Sequence, residues 1–278
     1  MKLNILVDNN TYIDRYLLAE PGLCILLETG ENKILFDTGF SDAFLKNANA
    51  RGHDLLDLDQ IVLSHSHLDH TWGLPHLFSR YVQTGLEGRK WKRPGLVAHP
   101  LLFKSRYVEG VPELGSLVSQ ERAAAFCDLK LSTEPIWLES NLVFLGEIPR
   151  TFGFENQYAI GRIRGKEEDQ DCYVQDDSAL AWKTPEGLVI ITGCSHAGIC
   201  NIIEHAQKVC QEEKILDIIG GLHLLDAPPE QMRGTLEYLK KIKPVRMHPC
   251  HCTDLKAKIA LAQVVDLEEV GVGLCLEY

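Results

Sequence analysis

The chain has 278 residues, with 28 lysines and arginines against 39 aspartates and glutamates, a formal net charge of −11. Hydrophobic residues at 45% and charged residues at 24% are ordinary for a folded chain, which excludes disorder as the main state. No run approaches the roughly 20 apolar residues of a membrane-spanning helix, and the acidic balance argues against a phosphate-backbone partner.

A chain of this size buries about three quarters of its unfolded surface, so its core needs no disulfide staples. The nine cysteines are odd in number and scattered, which suits a reducing compartment. The N-terminal apolar run is short and broken by Asp8, unlike a secretory leader. The expectation is a cytoplasmic protein.

In chain order, residues 3–7 read as a short strand. Residues 23–28 and 33–36 flank Thr29-Gly30-Glu31-Asn32, a hairpin-type turn. Residues 41–51 read as a helix, capped by Ser41 or Asp42, with Phe44, Leu45 and Ala48 at helical spacing. Residues 60–63 form a brief buried strand that ends in a histidine-rich segment. Residues 84–175 look irregular. A short helix is expected there at 119–126, with strands near 135–138 and 142–144. The basic stretch Arg89-Lys90-Trp91-Lys92-Arg93 and the acidic run Glu167–Asp171 read as solvated loops.

Order returns with strands at 178–182 and 188–192, joined by Thr184-Pro185-Glu186-Gly187. Then follow helix 199–212, strand 215–219, helix 230–242, strand 244–247, helix 254–265 and strand 272–276. Strands cluster early and strand–helix alternation dominates late. The pattern fits an α/β protein with a two-layered sheet core and helices on its outer faces.

The chemistry is concentrated in Ser64-His65-Ser66-His67-Leu68-Asp69-His70. In extended backbone His65 and His67 point the same way, and neutral imidazoles at that spacing can chelate one divalent ion. Asp69 and His70 follow a bend and could serve a second. Zinc accepts these ligand types, as do iron and manganese. Four further segments adjoin strands: Asp176-Asp177-Ser178 precedes one, and Gly193-Cys194-Ser195-His196, Leu222-His223 and Cys250-His251-Cys252-Thr253 end others. Open α/β sheets place ligands at strand C-terminal ends. His248 reads as structural, and His53, His76, His99 and His205 have no motif context.

The histidine segment resembles the metallo-β-lactamase superfamily, whose signature is His-x-His-x-Asp-His after a strand. Phe36-Asp37-Thr38-Gly39 is similar to that superfamily's first motif, whose aspartate braces the metal loop. The resemblance implies an αβ/βα four-layer sandwich, two mixed sheets with helices outside, spanning 1–278 as one domain. Within it, 84–175 would be a variable insert or substrate-shaping region. It further implies a metal set of His65, His67, Asp69, His70, His196 and His251. Cys194 stands where the bridging aspartate is usual, and Asp177 is the nearest carboxylate alternative. One or two ions, zinc first, are expected. Asp69 and His223 are the candidates for moving a proton.

The set Asp-Asp-Ser-Ala-Leu, Thr-Gly-Cys-Ser-His-Ala-Gly, Gly-Gly-Leu-His-Leu and His-Cys-Thr resembles a narrower branch. That branch contains the dihydropterin-ribofuranosylaminobenzene phosphate synthases and related metal-dependent hydrolases. The leading expectation is a hydrolase in which metal-activated hydroxide attacks an ester, lactone, amide or phosphoester of a small molecule. The alternatives are a transferase joining a dihydropterin diphosphate to an arylamine, with Arg162, Arg164 and Lys166 as candidate phosphate contacts, and a metal or redox sensor built on Cys250-His251-Cys252. A ribonuclease would want a basic surface. A flavodiiron oxidase would want a glutamate at position 67. No nucleic acid or membrane partner is expected, and self-association is left open.

Overall fold

Seven strands build the first sheet, and its central strands carry apolar runs buried on both faces. The computed structural model describes residues 1–30 and 32–278, so Glu31 of the expected turn lies outside the described residues. The chain divides into two compact units, Met1–Leu131 with Val270–Tyr278, and Ser132–Glu269.

In the first unit, β1 (Lys2–Val7), β2 (Cys24–Glu28) and β3 (Lys33–Phe36) run antiparallel to one another in succession. After helix α1 (Ala43–Ala50), strand β4 (Gln60–Val62) joins β3 in parallel. Helices α2 (Leu68–Thr71) and α3 (Leu74–Leu86) lead to β5 (Gly95–Ala98). The short β6 (Arg106–Tyr107) and helix α4 (Gln120–Phe126) precede β7 (Asp128–Leu131). Strands β4, β5 and β7 continue the parallel half. Phe44 of α1 and Leu77, Phe78 and Tyr81 of α3 pack on Leu26, Leu35, Ile61 and Leu96 of the sheet.

The second unit opens with the antiparallel pair β8 (Ile136–Glu139) and β9 (Leu142–Phe144). A small exposed hairpin, β10 (Arg162–Ile163) and β11 (Gln170–Asp171), stands outside the main sheet. Strand β12 (Ala179–Thr184) pairs with β9 and with β13 (Gly187–Thr192). Helix α5 (Ile199–Cys210), β14 (Ile215–Gly221), helix α6 (Pro229–Ile242), β15 (Arg246–Cys250) and helix α7 (Leu255–Leu261) follow. Strands β13, β14 and β15 are parallel. Ile202, Ile203 and Ala206 of α5, Leu239 of α6 and Leu261 of α7 cover Ile190, Ile218 and Met247. The last strand, β16 (Cys275–Glu277), returns to the first unit beside β1.

Two mixed sheets, each carrying helices, therefore stand as the sequence implies. The stretch 84–175 is less irregular than its composition suggests. It supplies β5 and β7 to the first sheet and β8 and β9 to the second. Helix α3 escapes the sequence pattern because Pro75, His76 and Gly85 interrupt its apolar spacing, although proline suits a first helical turn. The helix expected at 41–51 is shorter. Asp42 sits at its N-cap without a side-chain cap bond, while Ser41 Oγ accepts from the Ala43 amide at 3.1 Å. Strand 244–247 is shifted onward, to end at Cys250. Among the described residues, no helix is long and apolar enough to cross a membrane.

Candidate functional site

In the first unit the parallel register sets Phe36 beside Val62, so the loops after β3 and β4 leave the sheet together. Asp37 takes a positive φ of 56°, which turns its side chain under the second loop. Its Oδ1 accepts from the Ser64 amide at 2.7 Å, and its Oδ2 accepts from the Ser64 hydroxyl at 2.7 Å. The same Oδ2 lies 2.7 Å from His70 Nδ1. Beside a carboxylate, Nδ1 carries the proton. The Ser64 hydroxyl, having donated to Asp37, accepts from His65 Nδ1 at 2.9 Å. This network assigns Nδ1–H to both rings and makes Nε2 the lone-pair atom of each.

The three rings stand close. Centroids are 4.7 Å apart for His65 and His67 and 4.2 Å for His65 and His70. Asp69 Oδ2 lies 3.7 Å from His70 Nε2. The loop is pinned at its far end, where the Thr38 amide and hydroxyl both donate to the His70 carbonyl, at 2.8 and 2.9 Å. All four sequence-implied donors of this unit thus gather at one place.

In the second unit, the loops after β13, β14 and β15 carry the rest. Ser195, His223 and His251 all take positive φ, at 65°, 49° and 51°, conformations that non-glycine residues adopt at a cost of order 1–3 kcal/mol. Hydrogen bonds hold them there. Ser195 Oγ donates to the Gly221 carbonyl at 2.6 Å, Gly221 N donates to the Gly193 carbonyl at 2.9 Å, and Leu222 N donates to Thr253 Oγ1 at 3.0 Å. Cys194 is buried, and its Sγ lies 3.2 Å from His251 Nε2. The His196 and His223 rings have centroids 4.2 Å apart.

Asp177, the alternative to Cys194, is fully buried behind the His196 loop, where its Oδ2 accepts from the Ala197 amide at 2.8 Å. Burial pushes its carboxyl up to about 7, against the opposing pull of the Ala197 amide and the Arg150 charge. Asp177 therefore braces the backbone beside His196 much as Asp37 braces its own loop. Burial would also raise the Cys252 thiol. Hydrogen bonds with Cys194 and His223 and the charges of His251 and His223 outweigh it, so the thiol lies well below its ordinary range.

A cavity of about 150 Å³ adjoins His196 and His223 and is walled by Asn156, Gln157, Tyr158 and Gln231. Asn156 Nδ2 donates to the His196 carbonyl at 2.8 Å. Sequence reasoning missed this wall because 156–160 has no periodicity. It also missed Glu155, whose carboxylate accepts from the Cys200 and Asn201 amides at the start of α5, both at 3.0 Å.

The remaining histidines have structural partners or solvent. His248 pairs with buried Asp217 at 2.9 Å, and His205 Nε2 lies 3.1 Å from the Leu145 carbonyl. His53 faces Glu28 at 3.8 Å, His99 Nδ1 accepts from the Leu101 amide at 3.1 Å, and His76 is exposed. The basic stretch is engaged too: Arg89, Lys92 and Arg93 pair with Glu87, Asp59 and Asp128. Arg162 Nη2 donates to the Asp169 carbonyl at 2.6 Å, within its own hairpin.

Comparison with known proteins agrees with this geometry. A family model for the metallo-beta-lactamase superfamily matches residues 17–139. The 7,8-dihydropterin-6-methyl-4-(beta-D-ribofuranosyl)-aminobenzene-5'-phosphate synthase of Methanocaldococcus jannaschii is 30% identical over 94% of this chain and 90% of its own. The chain belongs to the metallo-β-lactamase superfamily. An uncharacterised protein of the same archaeon is 29% identical over 98% of both chains. The crystal structure of Tm1679, described as a metal-dependent hydrolase of the beta-lactamase superfamily, is 25% identical with a TM-score of 0.83 over 100% of this chain and 99% of that one. Within this superfamily, the chain resembles the dihydropterin-ribofuranosylaminobenzene phosphate synthase branch over 94% of its length.

Proposed function

We propose that the chain is a metal-dependent hydrolase acting on an ester, lactone, amide or phosphoester of a small molecule. The observation that carries this reading is the Asp37–Ser64 network, which fixes the tautomers of His65 and His70. Such bracing has its use in ligand orientation. The donor chemistry fits a borderline divalent ion such as zinc, since imidazole, carboxylate and thiolate all suit it. The first unit offers His65, His67, Asp69 and His70 as candidate ligands, and the second offers Cys194, His196 and His251, for one or two ions. When bound, such a metal supplies hydroxide near neutral pH by lowering the pKa of water from about 15.7 to about 7, and it polarises the bond under attack.

The chain's own groups do the rest. Asp69, part-exposed and 3.7 Å from His70 Nε2, is placed to accept the proton of the attacking water. His223, on the cavity wall, is placed to hand a proton to the leaving group. Asn156, Gln157, Tyr158 and Gln231 offer hydrogen bonds and a ring face to the part of the substrate that does not react. Residues 156–160 belong to 84–175, which in this reading shapes specificity, as loops on a rigid scaffold do. The partner is a small molecule, and the charge of −11 speaks against nucleic acid.

The full-length likeness to the archaeal synthase favours a second reading, the condensation of a dihydropterin diphosphate with an arylamine. One assay separates the two. Zinc-loaded protein is incubated with a hydroxymethyl-dihydropterin diphosphate and an aminobenzoate acceptor, and in parallel with ester, lactone and phosphoester panels. Turnover in the panels alone supports the hydrolase, whereas a condensation product supports the transferase. Under either reading, His65→Ala with His67→Ala is expected to lose metal and at least 10²-fold of activity. Parent-like metal content and turnover in that variant would sink both.

A further inference from the structure

We propose that Cys194 and Cys252 are a redox-sensitive thiol pair that closes to a disulfide when the protein meets a peroxide. The two cysteines are 58 residues apart in sequence, yet Cys252 Sγ lies 3.4 Å from the Cys194 carbonyl oxygen. Their side chains also share a hydrogen bond. The approach is built into three loops. The Gly193–Gly221 backbone bond at 2.9 Å holds the Cys194 loop against the end of β14. Gly221 has no side chain, and a Cβ there would meet the Cys252 sulfur. The His223 amide donates to Cys252 Sγ at 3.3 Å, which fixes the sulfur from the other side. Neither cysteine can drift far without breaking these bonds.

The chemistry balances with hydrogen peroxide as the oxidant. The sulfur of Cys252, the more exposed of the two, attacks one peroxide oxygen. The O–O bond breaks, the thiol proton leaves with the departing oxygen as water, and Cys252 becomes a sulfenic acid. The sulfur of Cys194 then attacks that sulfur. The S–O bond breaks, a second water leaves with the Cys194 proton, and the S–S bond forms. Two thiols have lost two electrons and one peroxide has become two waters.

The functional consequence rests on the reading of Cys194 as a metal donor. A disulfide sulfur is a far poorer ligand than a thiolate. Closure would also draw on the contacts that position His251, whose Nε2 is 3.2 Å from Cys194 Sγ. The pair would thus release metal under oxidative stress and regain it on reduction.

The test uses the full chain, stripped of metal with a chelator, reduced without oxygen and then given one equivalent of hydrogen peroxide. The expected result is two thiols fewer than the nine of the reduced chain. Digestion without reductant should yield one cross-linked peptide pair, containing Cys194 and Cys252, which a phosphine reductant separates. Loss of thiols at other cysteines such as exposed Cys275, or oxygen addition at Cys252 with no cross-link, would overturn the proposal. Cys252→Ser should abolish the two-thiol loss and Cys275→Ser should leave it intact. The peptide map of the unaltered chain decides the matter if a variant does not fold. The cross-linked protein, dialysed against buffered zinc, should hold less zinc than the reduced protein. Equal zinc would refute the consequence drawn for Cys194 as a donor, independently of the cross-link itself.

Discussion

Asp37 touches two of the histidine motif's members while being fully buried itself, with hydrogen bonds to Ser64 and His70. Its worth lies in both oxygens being acceptors. Asparagine has nearly the same shape but presents a donor on one side, so it must break the bond to Ser64 or to His70. Asp37→Asn is therefore expected to weaken zinc affinity by 10–100-fold, read by competition with a chromophoric chelator. Glu155 makes a different prediction. Burial raises its carboxyl above the usual range, opposed by the Cys200 and Asn201 amides. A raised folded-state value means that the folded chain holds this proton more tightly than the unfolded chain. Its contribution to stability is then largest at low pH and falls as pH rises from the unfolded carboxyl value through the folded one. Glu155→Gln should remove that decline, as measured by urea denaturation at a series of pH values. At this scale the sequence exposes residues that crowd: His65 to His70 stand out because nothing but metal chemistry explains such a cluster. Glu155 and Asp177 do not stand out, because a lone carboxylate looks the same whether it faces water or caps a buried amide. Asp177 is a candidate ligand from its place in the chain, and the contact of its Oδ2 with the Ala197 amide adds a bracing role that the sequence does not announce.

Elements carry these residues through contacts that tolerate little change. Gly73, at the N-cap of α3, donates to the Gly39 carbonyl at 3.1 Å. A Cβ at Gly73 would run into the Thr38 carbonyl. Its φ of −69° is ordinary, so the obstacle is space alone. Gly73→Ala is expected to cost about 1–3 kcal/mol, measured by chemical denaturation, and to loosen metal because Thr38 also pins the His70 carbonyl. Strands and helices with clean periods were legible. α5 shows its face in Ile202, Ile203 and Ala206, and Ser119 and Asp254 announce α4 and α7 by accepting from Arg122 and Ala257. The strands β5 and β7 were not. Each has four residues and packs within a parallel sheet, and Asp128 and Lys130 break the apolar run of β7. A strand that short leaves too few residues to distinguish it from a loop.

Each unit repeats one plan: an antiparallel half, a parallel half, and candidate donors in the loops that leave the parallel strands. That plan was legible because strand–loop junctions with histidine recur along the whole chain, while the assignment of 84–175 to the two sheets depends on pairings remote in sequence. If donors remote in sequence serve the metal, binding favours the folded chain over the unfolded one. Zinc at 100 times its dissociation constant should then add about 2.7 kcal/mol of stability. Scanning calorimetry should show the transition temperature falling when a chelator is added. A transition indifferent to zinc would mean that the metal does not distinguish the folded chain. The position of β16 has a further consequence for how the protein is made. Strand β1 is made long before β16, yet one of its two edges is covered by Leu276 and its neighbours, with Leu274 and Gly273 bonded to Ile5. Until β16 emerges, the growing chain carries an apolar strand with an open edge, the kind of surface that pairs with other chains. Termination before β16 would make that interval permanent, so a strand made late protects one made early.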